Sequence, residues 1–89
     1  MEQVHEVKLD IAYVDAVRCG DKPFEIRYND RGYQKGDKLV LRPWCSINHC
    51  YDTDSLKIRA DITYVTTYGQ KDGWCVLGIR VTNNKGKTK

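Results

Sequence analysis

Five short stretches of this chain alternate apolar and polar side chains, and one further stretch repeats at helical spacing. This constrains the fold most, because period two makes strands and the intervals are too short for βαβ crossovers. Val4 to Leu9 places His5, Val7 and Leu9 on one face, with Val4, Glu6 and Lys8 on the other. Asp10 suits a helix N-cap. Ile11, Val14 and Val17 then recur at helical spacing, flanked by Tyr13 and Ala16, and Gly20 fits a left-handed stop. Pro23 interrupts before Phe24 to Tyr28, where Phe24, Ile26 and Tyr28 share one face and Glu25, Arg27 and Asn29 the other. Asn29-Asp30-Arg31-Gly32 and Lys35-Gly36-Asp37 are rich in turn formers. Lys38 to Trp44 sets Leu39 and Leu41 opposite Val40 and Arg42, and residues 45–56 read as a long polar loop. Lys57 to Thr67 is the longest alternation, with Ile58, Ala60, Ile62 and Tyr64 facing one way. After a turn at Gly69 to Gly73, Trp74 to Thr82 aligns Cys75, Leu77, Ile79 and Val81. One short N-terminal helix with about five strands predicts an α+β domain whose sheet curls into a barrel to remove its edges.

The chain has 89 residues, room for a single domain over 1–82 with a Lys-rich flexible tail at 83–89. At this size folding buries about 64% of the unfolded surface, a thin core but a real one. No apolar run approaches the roughly 20 residues of a membrane span, and the start lacks the apolar segment of a secretory signal. The expectation is a soluble, cytoplasmic monomer.

The net charge of +3 resides in the tail, since without Lys85, Lys87 and Lys89 the chain carries 12 basic and 12 acidic residues. Bulk charge therefore does not mark a nucleic-acid binder. The local distribution is more informative. Residues 20–42 hold six cations (Lys22, Arg27, Arg31, Lys35, Lys38, Arg42) against four carboxylates, so an anion site belongs there.

Cys19, Cys45, Cys50 and Cys75 would permit two disulfides in a secreted chain, but a cytosolic one keeps its thiols reduced. Cys45, His49 and Cys50 lack the paired knuckles of structural zinc sites. Neither a metal nor a cofactor is expected.

The stretch that carries chemistry is Gly20-Asp21-Lys22-Pro23-Phe24-Glu25-Ile26-Arg27, continuing to Asn29-Asp30-Arg31. Period two puts Glu25 and Arg27 on one face, away from the apolar side of their strand, with Lys22 able to reach the same rim. Lysine, arginine and a carboxylate on one concave face can hold a phosphate and accept from a base edge. The plain alternative is a surface Glu–Arg pair worth little, beside a solvated lysine.

These residues resemble the G-x-K-x-x-E-x-R motif of the ASCH domain family, part of the PUA-like superfamily. The chain looks closest to a small bacterial and phage branch of unknown function. Gly36-Asp37 leading into Leu39-Val40-Leu41-Arg42, the opening His5-x-x-Lys8, the helix Tyr13 to Val17, Ile62-Thr63-Tyr64-Val65 and Val76-Leu77-Gly78 extend the likeness over most of 4–81. The loop with Cys45, His49 and Cys50 departs from the branch. The resemblance implies a PUA-like β-barrel with a cleft between the motif strand and the N-terminal helix, and an RNA-binding role.

The expected function is thus binding of RNA or a nucleotide-like ligand by Lys22, Glu25, Arg27 and Arg31, with His5, Lys8 and Asn29 as further candidate contacts and Asn29 and Asp30 shaping the turn. Tyr28, Tyr33 and Trp44 can stack a base, or simply pack on the strands. The alternative is a small hydrolase acting on a modified nucleoside or RNA. Some relatives use a lysine of this motif with a threonine and a second glutamate. Lys22 and Arg27 match that pattern, but the threonine position is Glu25 and the second glutamate has no counterpart. A lysine working as base or nucleophile needs burial or a cationic neighbour, and an adjacent carboxylate acts the other way. His5 paired with Lys22 is the corresponding ribonuclease scheme, against the plainer reading of a packed strand histidine.

Overall fold

The computed structural model describes residues 2–83, so the Lys-rich segment at 84–89 lies outside the described residues. Strand β1 runs Val4–Asp10, followed by a 3-10 turn at Ile11–Tyr13 and helix α1 at Val14–Cys19. Then come β2 (Phe24–Tyr28), β3 (Lys38–Cys45), the two-residue β4 (Cys50–Tyr51), β5 (Ile58–Thr66) and β6 (Trp74–Val81). The strands form one mixed sheet in the order β1-β3-β5-β6-β2, with β4 paired to the far end of β3. The sheet curls into a half-barrel, and the architecture is α+β.

Local chemistry accounts for the elements. The Asp10 carboxylate accepts from Ala12 N at 2.9 Å and starts the helical turn. Gly20, at φ 91°, ends α1 in the left-handed region that favours glycine. Only Val14 and Val17 of this short helix are buried, while Ile11 is exposed. Parallel pairing of β1 with β3 sets His5 beside Leu39 and Val7 beside Leu41. Leu39, Leu41, Ile58 and Leu77 are fully enclosed, each burial worth about 1.5–3 kcal/mol. With Val7, Leu9, Val17, Ile62, Cys75 and Ile79 they fill the concave side.

The outer face divides in two. Over β1, β3 and β5 it is laced with ion pairs, Glu6 meeting Arg42 and Lys57, and Asp61 meeting Lys38 and Arg80. Over β2 and β6 it presents exposed Phe24, Ile26, Tyr28 and Trp74.

Three expectations need correction. Phe24, Ile26 and Tyr28 do not face the core; Glu25 does. Antiparallel pairing sets Glu25 opposite Leu77 and Arg27 opposite Cys75, and directly opposed side chains share a face. Because β6 turns Cys75 and Leu77 inward, Glu25 and Arg27 follow. Tyr64 also leaves the inner face. The pairing with β6 slips between Ile62 and Tyr64, and this bulge at Thr63 turns Tyr64 out and Val65 in against the core. Finally, residues 45–56 are not all loop: Cys45 and Cys50 face each other across the β3–β4 hairpin.

Candidate binding cleft

The half-barrel leaves a seam between its edge strands β1 and β2. Arg27 reaches across it: Nη1 donates to the Lys8 carbonyl at 3.1 Å and to Glu25 Oε2 at 3.0 Å. Lys22, arriving from the α1–β2 connection, donates to Glu25 Oε1 at 2.8 Å and to the Phe24 carbonyl at 3.2 Å. The Glu25 carboxylate, in a residue only 4% exposed, thus has one oxygen on each cation. A buried carboxylate needs such partners, since stranding it without them would cost several kcal/mol.

This clamp borders a cavity of about 340 Å³ lined by Lys8, Asp10, Tyr13, Lys22, Glu25 and Arg27, with Leu9 and Ile26. The Lys22 ammonium sits 5.0 Å from the ring centroids of both Tyr13 and Phe24. Lys8 offers its carbonyl to Arg27 while its ammonium lies 3.8 Å over the Trp44 ring. The mouth therefore combines cations, the clamped Glu25 carboxylate, the N-cap carboxylate of Asp10 and an exposed aromatic edge at Tyr13.

Lys8, Lys22, Glu25 and Arg27 of the expected set come together here. Arg31 does not line this cavity; it lies in a neighbouring one on the other side of Arg27. Asn29 stays outside as well: its Oδ1 accepts from Tyr33 N at 3.0 Å and closes the turn. His5 is buried away from the cleft, with Nε2 2.9 Å from Asp37 Oδ2 and its ring edge-on to Tyr33 at 4.8 Å. No contact links His5 to Lys22 among the described residues, so the ribonuclease scheme loses its geometry. The buried Asp37 also accepts from Gln3 N and Gln34 N at 3.1 Å each, and these bonds tie the start of β1 to the entry of β3. The His5 bond first, then those two backbone bonds, hold the Asp37 carboxyl below its ordinary value against the upward push of burial.

Of the aromatics considered for stacking, Tyr33 is buried and Trp44 is half-covered by Lys8 and by Tyr51. Burial pushes the Tyr33 phenol up, while the Arg27 and Arg31 guanidinia beside it pull the other way. Tyr13 and Asp10 are cleft residues outside the expected site set; the N-cap position of Asp10, the place of Tyr13 beside the helix, and the implied cleft between that helix and the motif strand were their signals. Among the described residues no group of three or more His, Cys, Asp or Glu is placed to hold a metal ion, and no helix is long and apolar enough to cross a membrane.

A small α+β half-barrel with a polar cleft at its open seam is the class that this geometry defines. A family model described as "Domain of unknown function (DUF3850)" matches residues 4–79, and the chain belongs to that family. It is also similar to an "Uncharacterized 12.9 kDa protein in GpA 3'region" from Escherichia phage P2, 48% identical over 44 residues. That alignment covers 49% of this chain and 40% of the phage protein, so less than half of the relative's length is spanned.

Proposed function

We propose that the seam cleft binds RNA or a nucleotide-like ligand. The observation that carries this reading is the Glu25 carboxylate, clamped by Lys22 at 2.8 Å and Arg27 at 3.0 Å and facing a cavity of about 340 Å³. A carboxylate with fixed orientation accepts from an exocyclic amine, as from cytosine N4, and cations beside it take phosphate or carbonyl oxygens. The resemblance of this motif to that of the ASCH domain family, with its PUA-like barrel, supports the same reading. Fold-level likeness alone carries little about function, so the weight rests on the clamp.

Hydrolysis through Lys22 and Glu25 would use the same two residues, but here each is engaged by the other. The test is an amide-shift titration of labelled protein with cytidine and uridine nucleotides, the samples being checked for chemical change. Cytidine monophosphate (CMP) should shift Lys22, Glu25 and Arg27 and bind tighter than the uridine form. Arg27→Ala should weaken binding by about 1–3 kcal/mol with the fold intact. Unchanged affinity in that variant would refute the site, and conversion of a nucleoside would establish the enzyme instead.

A further inference from the structure

Beyond Arg27 the cleft continues into a second cavity of about 320 Å³, and Ile26 and Arg27 belong to both. The chemistry differs on the two sides. The first cavity holds the clamped carboxylate; the second has Tyr28, Trp74, Asp30 and Arg31 on its walls and the buried Tyr33 beneath. Tyr28 and Trp74 pack edge to face, with centroids 5.9 Å apart and ring planes at 75°. They remain 55% and 40% exposed, large rings spent on each other and on solvent rather than on the core. Their position is enforced by the fold: Tyr28 pairs with Trp74 across β2 and β6, and Asn29 N donates to the Gly73 carbonyl at 2.7 Å.

Exposed aromatic faces beside guanidinium groups are what stacked bases and their phosphates require. Glu25 and Tyr28 are three residues apart on the edge strand β2, about 10 Å, and point to opposite faces of it, so no single base ring engages both and a ligand that reaches both must round the strand's free edge at Arg27. Arg27 uses Nη1 both for the Lys8 carbonyl across the seam and for Glu25 on its own strand, and it also bonds Tyr33; a guanidinium has five N–H donors, so donors remain for a phosphate oxygen.

We infer that the ligand is a single-stranded oligonucleotide of at least two nucleotides. One base occupies the Glu25 cavity, its neighbour stacks at Tyr28 and Trp74, and Arg27 meets the phosphate that links them. This rests on the reading of the Glu25 cavity as a nucleotide site.

The experiment titrates the full chain with CMP, the dinucleotide CpC and the tetranucleotide of cytidine, following amide shifts. Affinity should rise at least about fivefold from CMP to CpC, the lower end of the increment one stacked base brings. Trp74→Ala should abolish that rise and leave CMP affinity within about twofold. Arg31→Glu, in an exposed turn where the fold is not at risk, should do the same. If CMP shifts Lys22 and Glu25 but CpC binds no tighter, the inference fails and the nucleotide site stands. If CpC binds tighter and neither variant reduces the gain, the inference also fails. If neither CMP nor CpC shifts any cleft amide, the nucleotide site itself falls and takes the inference with it.

Discussion

Glu25→Gln is the substitution that probes the cleft most directly, because it changes one charge and almost no volume. In the native protein the carboxylate takes one charge-assisted bond from Lys22 and one from Arg27. Such bonds contribute about 1.5–3 kcal/mol each. The lower figure applies, since the Lys22 and Arg27 side chains are 21% and 25% exposed and can turn toward water. Glutamine keeps one acceptor and sets an N–H group against the other cation. One bond is lost, the second is weakened, and the net cost should be about 2 kcal/mol. For a domain of this size that corresponds to a fall of roughly 8–16 °C in Tm. Urea unfolding followed by tryptophan fluorescence, with the m-value checked for constancy, measures it. A Glu25→Gln protein as stable as the native one would refute the reasoning. It would mean that desolvating the carboxylate already cancels what its two partners return.

Two other outcomes follow from the geometry. Asp37 has its carboxyl held below the ordinary value of 3.8, so its contribution is present above that pH and is lost as pH falls through the folded value. Asp37→Asn should therefore cost about 2 kcal/mol near neutrality, with the difference shrinking below about pH 4; urea midpoints at pH 3 and pH 7 read this directly. At Gly73 the φ is +86°, and an added Cβ would stand 2.5 Å from Tyr28 Cε1. Gly73→Ala should cost about 1–2 kcal/mol through its left-handed backbone and push Tyr28 off Trp74, visible as a change in indole fluorescence.

Most of the strands were legible because their inner faces are apolar, His5 excepted: His5-Val7-Leu9, Leu39-Leu41, Ile58-Ala60-Ile62 and Cys75-Leu77-Ile79 alternate without a break. The sense of β2 was not legible. Both its faces are plausible interiors, one aliphatic and aromatic, the other charged, and only the register with β6 decides between them. Tyr64 was hidden for a related reason, since a bulge at Thr63 leaves no mark in an otherwise regular alternation. The motif brought Lys22, Glu25 and Arg27 together on sequence alone, as they are neighbours on one connection and one strand. Tyr13, Asp10 and the pairing of Tyr28 with Trp74 depend on curvature and on partners far along the chain. His5 shows the reverse case, a residue drawn toward the site by the family resemblance but committed by the fold to Asp37.

The order in which the sheet is wired bears on when the cleft can exist. Its two walls, β1 and β2, come first in the chain, yet neither pairs with the other or with its neighbour in sequence. Val4 must wait for Lys38, and Phe24 for Gly78. Closing such long loops comes late in folding, after the local β5–β6 hairpin has a template to offer. A nascent chain that has not yet released β6 therefore has no β2 wall, and its Glu25 clamp lacks the strand that holds it inward. The cleft is complete only when β6, the last strand among the described residues, is in place.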